Sequence, residues 1–71
     1  MAKRPPITNR VRELRERDGL SQAALGQAIG VTRQTVIAIE QGRYSPSLES
    51  AFRISRVFHA GIEDVFGWEE E

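Results

Sequence analysis

Cysteine is absent from this chain of 71 residues, so neither disulfide staples nor thiolate metal sites contribute to it. Histidine occurs once, at His59, which leaves too few soft ligands for a zinc-type centre. No apolar run approaches the roughly 20 residues that span a bilayer. The basic Lys3-Arg4 is followed by Pro5-Pro6 and a polar segment, where a signal peptide would carry an apolar stretch. A cytoplasmic protein with no metal and no cofactor is therefore expected. Paired carboxylates fall only on helix faces and in the tail, and His59 has no nucleophile near it in sequence, so no enzyme is indicated. A single domain this short buries only about 60% of its unfolded surface. Its stability must rest on close helix packing, on association with another copy, or on both.

Net charge is also missing, at zero, which at first argues against a polyanionic partner. The total conceals an asymmetry. All ten basic residues precede residue 60, and only Glu13, Glu16, Asp18, Glu40 and Glu49 share that stretch, leaving a body of +5. Glu63, Asp64, Glu69, Glu70 and Glu71 make the last eleven residues −5. Nucleic-acid binding depends on a local patch and not on the sum, although a mixed surface with a solubilising acidic tail has the same composition.

The chain reads as helices punctuated by caps and glycines. Pro5-Pro6 favours an extended arm over residues 1–8, whose Lys3-Arg4 is expected to be disordered, with reach to DNA as the alternative, and Ile7-Thr8 suits a short strand. Asn9 is placed to cap a first helix running to about Asp18, with Val11, Leu14 and Arg15 on one face and Gly19 after it. Ser21 caps a second helix from Gln22 to Ile29, and Thr32 caps a third from Arg33 to Gln41, which Gly42 closes. Ser47 caps a fourth, to about Phe58, with Leu48, Ala51, Phe52, Ile54 and Phe58 as its apolar face. Gly61 precedes a short helix from Ile62 to Phe66 with two acids in its first turn. His59, at the end of the fourth helix, is expected to meet the helix dipole or solvent.

Two helices joined by a turn of three or four residues containing glycine define the helix-turn-helix, and Ser21 to Gln41 has that layout. Gly30 supplies the positive φ that the reversal in Gly30-Val31-Thr32 requires. Gly26 costs its helix roughly 1 kcal/mol relative to alanine, which implies very close packing there. With Val36, Ile39 and Glu40 turned inward on the third helix, Arg33, Gln34, Ile37, Ala38 and Gln41 face out. Their chemistry suits a major groove: arginine pairs with guanine O6 and N7, glutamine with adenine N6 and N7, and alanine or isoleucine with a thymine methyl. On an isolated helix the same stripe would be a plain exposed face. Its place after a capped helix and a glycine turn favours double-stranded DNA as the partner.

Three segments carry a wider likeness: Ser21-Gln22-Ala23-Ala24-Leu25, Gly30-Val31-Thr32-Arg33-Gln34-Thr35-Val36, and Ile39-Glu40-Gln41-Gly42-Arg43-Tyr44-Ser45-Pro46-Ser47. Together they resemble the Cro/C1-type (XRE) helix-turn-helix family of phage repressors and bacterial regulators, with similarity continuing from Leu48 to Phe66. The short stand-alone members are most similar. The resemblance implies an all-α, compact five-helix, lambda-repressor-like domain over residues 9–66, with a short terminal two-stranded β pair and an acidic tail over residues 67–71. It implies a prokaryotic transcription regulator, a repressor, reading DNA through Arg33, Gln34, Ile37 and Ala38. Gln22 would approach a phosphate, Thr32 and Thr35 would bond phosphate or base edges, and Gln41, Arg43, Tyr44 and Ser45 would hold the backbone. The family also pairs an arginine of the first helix with a glutamate of the third, and Arg15 and Glu40 match those positions as a structural ion pair. Gln41 departs from the asparagine of many members, and Gly26 from the usual alanine.

One such unit reads few base pairs, so a homodimer on a palindromic site is expected, its half-sites about 34 Å apart. Ile62, Val65, Phe66 and Trp68 are the candidate interface, with Ile7 beside Phe66–Trp68 as a small sheet. The acidic tail should point away from the duplex. The alternative is an antitoxin, whose main ligand is a protein and which uses the same DNA unit for autoregulation. An adjacent gene for a small toxin-like protein would distinguish it.

Overall fold

Three helices begin on a hydroxyl side chain that accepts an orphan amide of the first turn. Ser21 Oγ accepts from Ala24 N at 2.9 Å, Thr32 Oγ1 from Thr35 N at 3.2 Å, and Ser47 Oγ from Ser50 N at 3.1 Å. Each such cap contributes about 1 kcal/mol. In the computed structural model, which describes residues 5–70, the order is β1 (Ile7–Asn9), α1 (Val11–Arg17), α2 (Gln22–Ile29), α3 (Arg33–Glu40), α4 (Leu48–Val57), α5 (Ile62–Val65) and β2 (Phe66–Trp68). Lys3 and Arg4 of the expected basic arm, and Glu71 of the tail, lie outside the described residues. Five helices and a two-stranded sheet are thus present, as the resemblance implied. Among the described residues no helix is long and apolar enough to cross a membrane.

The first helix starts differently from expectation. Asn9 is not its N-cap but the last residue of β1, and Arg10 takes the cap position without a side-chain bond. The reason is the strand ladder: β1 and β2 are antiparallel, with Ile7 opposite Trp68, Thr8 opposite Gly67 and Asn9 opposite Phe66. That pairing joins Ile7 and Thr8 of the expected arm to Gly67 and Trp68 of the expected tail. Asn9 serves two elements from its strand position. Its Oδ1 accepts from Val11 N at 3.0 Å, while its Nδ2 donates to the Ile39 carbonyl at the end of α3, at 2.8 Å. The fifth helix correspondingly stops at Val65, and Phe66 is extended (φ −119°, ψ 148°) as the first residue of β2.

Turn geometry explains two glycines. Gly30 has φ 79°, a left-handed conformation that a β-carbon disfavours. Gly26 is buried, and a β-carbon built on it would stand 2.8 Å from the Val31 carbonyl oxygen and 3.3 Å from that of Thr32. The turn between α2 and α3 therefore lies directly on the helix backbone. Close packing offsets the helical penalty of glycine and explains the departure from alanine. Helix α4 ends without glycine: His59 is exposed and occupies the left-handed region, φ 53°.

Val11, Leu14, Leu25, Ile29, Val36, Ile39, Ile54, Phe58 and Val65 form one core. Helix α4 corrects the expected apolar face. Ala51, Ile54 and Phe58 are buried, but Leu48 is 72% and Phe52 52% exposed. The buried stripe runs Ala51, Ile54, Ser55, Phe58, with helical spacing, and Ser55 enters it because its hydroxyl donates to the Ala51 carbonyl at 3.0 Å. Leu48 and Phe52, four residues apart, make a second apolar stripe beside the first, and the subunit core covers only one of the two.

Candidate nucleic-acid interface

Helix α3 is anchored from behind by Val36 and Ile39, both 1% exposed. Its other side carries the residues expected to read DNA. Arg33, Gln34 and Gln41 are exposed, while Ile37 and Ala38 are half-buried. The helix is also propped by a charge network. Arg15 Nε lies 2.6 Å from Glu40 Oε2, and the two side chains are 12% and 4% exposed. Arg15 Nη2 donates to Glu40 Oε1 at 3.2 Å, and Nη1 donates to the Leu20 carbonyl at 2.9 Å. Gln22 Nε2 donates to the same Glu40 Oε1 at 3.2 Å. Hydrogen bonding to Glu40 holds the Arg15 guanidinium above its already high ordinary pKa. Among the described residues no buried side-chain polar atom lacks a partner, which is the condition under which a buried polar network rigidifies its surroundings.

Neighbouring polar groups leave donors free at the rim. Thr32 Oγ1 and Thr35 Oγ1 lie 3.1 Å apart, so they share one proton and the second remains available to an outside acceptor. Gln41 Oε1 accepts from Arg43 Nε at 2.8 Å, which occupies the amide oxygen and leaves donation to the amide nitrogen. Tyr44 is 50% exposed. Gln22, Arg33, Ile37 and Gln41 line one open polar cleft of about 530 Å³ between α1, the start of α2, and α3. Sequence reasoning missed Arg12, Glu16, Ser21 and Ala23, which complete that cleft together with Arg15 and Glu40. The available signal was that Arg12 stands one helical turn before Arg15. Gln34 and Ala38 lie on α3 outside the cleft lining.

Ser45 belongs to a second concavity instead. An apolar groove of about 780 Å³ is lined by Ser45 with Ile7, Pro46, Leu48, Ile62, Phe66 and Trp68, among others. Ile62 and Phe66 are half-buried and Trp68 is 64% exposed. Val65 corrects the expected interface: it is 1% exposed inside its own subunit, because the turn of α5 directs it into the core. The free apolar surface is supplied by Leu48 and Phe52, which the single apolar face assigned to α4 had placed inside.

The helix-turn-helix family model matches residues 11–65. This chain belongs to the Cro/C1-type helix-turn-helix family. It is 57% identical over 65 residues to the uncharacterized HTH-type transcriptional regulator YgzD of Bacillus subtilis, covering 92% of this chain and 98% of that protein. An HTH-type transcriptional regulator of Archaeoglobus fulgidus is 45% identical over 65 residues, with coverage of 92% and 93%. Among solved structures, the restriction-modification controller protein C.AhdI from Aeromonas hydrophila superposes with a TM-score of 0.71 at 31% identity, covering 78% of this chain and 80% of that one. A Bacteroides fragilis crystal structure superposes with a TM-score of 0.78 at 13% identity, covering 86% and 98%, a likeness of fold alone. Family and relatives are transcription regulators, and this Cro/C1-type chain is a DNA-binding helix-turn-helix regulator. Within that family frame, the Arg15–Glu40–Gln22 network is the rear support of the α2–α3 unit.

Proposed function

We propose that the chain is a cytoplasmic, sequence-specific repressor that acts as a homodimer on a palindromic operator, each subunit laying α3 in the major groove. The observation that carries the reading is the solvent-facing Arg33 and Gln34 on a helix whose rear is locked by Arg15, Glu40 and Gln22. Arg33 pairs with a guanine edge, Gln34 with an adenine edge, and Ile37 with Ala38 packs on thymine methyls. Gln22, Thr32, Thr35, Gln41, Arg43 and Tyr44 hold phosphates, which position the helix without reading sequence. Occupancy of a promoter element by such a dimer is sufficient for repression.

The homodimer is supported by exposed Leu48 and Trp68, which line the apolar groove together with Ile62 and Phe66, and by exposed Phe52 one turn along α4 from Leu48. Contiguous apolar surface of this kind on a small domain marks an interaction site. Of the exposed acidic residues, Glu63 lines that groove, whereas Glu69 lies in a small cleft with Glu40, Gln41 and Gly42 at the end of α3. Selection of bound fragments from random DNA by the full chain tests the reading. Enrichment of two inverted half-sites about one helical turn apart is expected. Enrichment of an unsymmetrical single site would remove the dimer, and no enrichment would remove sequence reading.

A further inference from the structure

The polar cleft holds one more cation than the proposed contacts use. Its lining includes three arginines, Arg12, Arg15 and Arg33. Arg15 is consumed internally by Glu40 and the Leu20 carbonyl. Arg33 begins α3 and faces the groove. Arg12 has no comparable task. Its side chain is 72% exposed, and its partner is Glu16, with Nε to Oε2 at 3.3 Å and the glutamate itself 57% exposed. Exposed pairs four residues apart on a helix are weak and screened by salt. No core contact depends on Arg12, yet it sits on the cleft that also contains Gln22 and Arg33.

We infer that Arg12 is a further DNA-backbone contact, exchanging Glu16 for a phosphate when α3 enters the groove. The inference rests on the proposed docking through α3. A phosphate held near Gln22 at the start of α2 shares the cleft with the Arg12 guanidinium, which is free to swing because only Glu16 restrains it. Phosphate presents several acceptor oxygens to the guanidinium fork, against one long bond from Glu16. The carboxylate thus stands in for the phosphate in the free protein. It neutralises Arg12 there, and because Glu16 itself lines the cleft its bare charge opposes the exchange once Arg12 has left it. The footprint of each subunit extends onto α1, outside the helix-turn-helix unit.

Affinities of the full chain for its selected operator and for an unrelated duplex of equal length, measured across a salt series, test this. Arg12→Ala is expected to weaken both by roughly tenfold at low salt. It should also reduce the magnitude of the salt slope by about 1 per subunit. Arg12→Lys keeps the charge and should keep the slope. Glu16→Gln removes the competitor and should tighten both complexes at low salt. Arg56→Ala removes the same charge near His59, at a concavity that shares no residue with the cleft, and should leave the slope unchanged. An unaltered slope in Arg12→Ala, or an equal fall in Arg56→Ala, would overturn the inference while leaving docking through α3 intact. A wild-type chain with no salt dependence and no operator preference would instead remove the docking itself, and Arg12's role with it.

Discussion

The polar cleft and the apolar groove share no residue, and they are built by opposite means. The polar cleft is assembled from groups that complete one another before any ligand arrives: Arg15, Glu40, Gln22 and the Leu20 carbonyl form a closed set. The apolar groove is unfinished. Leu48 and Trp68 leave 72% and 64% of their surface uncovered by the described residues. Polar recognition needs donors in fixed directions, so its support must be satisfied internally. Apolar association gains from water released on contact, so its surface must stay bare until the partner arrives. One small fold therefore carries a polar face whose support is complete and an apolar face left bare, the first proposed for DNA and the second for another copy.

The sharpest way to break this contrast is to open the polar support. Glu40→Ala leaves the Arg15 guanidinium buried with one carbonyl for company, and stability should fall by about 3–5 kcal/mol. Thermal unfolding would then begin far earlier, since each kcal/mol moves the midpoint of a domain this size by about 4–8 °C. An unchanged melting curve would mean that the network is ornamental. Operator binding should fall together with the fold, although Glu40 is assigned no DNA contact. Replacing both partners, Arg15→Met with Glu40→Leu, should recover most of the stability.

The apolar groove should answer in the reverse manner. Leu48→Glu removes exposed surface from the docking face but nothing from the core, so the monomer should melt at or near the wild-type temperature. Sedimentation should show dimers lost, by about 2 kcal/mol or more of association energy. A variant that stays dimeric would move the interface elsewhere on the molecule. Trp68→Ala at the other end of the groove is the companion case, with a smaller loss of association. Smaller still is the effect of trimming one reader. Arg33→Ala should cost about 1–3 kcal/mol against the preferred base pair and little against others. Competition binding with operators altered at single positions measures it, and an equal loss on every sequence would assign Arg33 to the backbone.

Much of the DNA-facing half was legible in residue order because its signals are local. Ser21, Thr32 and Ser47 act through amides three residues away, and Gly30 through its own φ. Gly26 was legible in part: its cost to the helix announced close packing, but the Val31 carbonyl that excludes a β-carbon became visible only with the turn in place. The Arg15–Glu40 pair came from family resemblance, since 25 positions separate the partners and no periodicity connects them. Asn9 was misplaced because a good capping residue is equally a good strand end. What decided was Phe66, 57 residues away in the opposite strand.

Residue order by itself determined the helices, the caps of α2, α3 and α4 and the outward stripe of α3, for each depends on interactions within a turn or two of chain. Tertiary structure alone decided which apolar residues the subunit keeps. Helix α4 carries two neighbouring apolar stripes, and only the packing of the other helices assigns Ala51, Ile54 and Phe58 to the core and leaves Leu48 and Phe52 outside. The same packing takes Val65 inward and leaves Trp68 on the surface. Periodicity shows that a face is apolar, but whether that face is covered depends on the area the remaining elements can reach. In a domain of this length that area runs out, and the remainder stays on the surface, where it is the face proposed for a second copy.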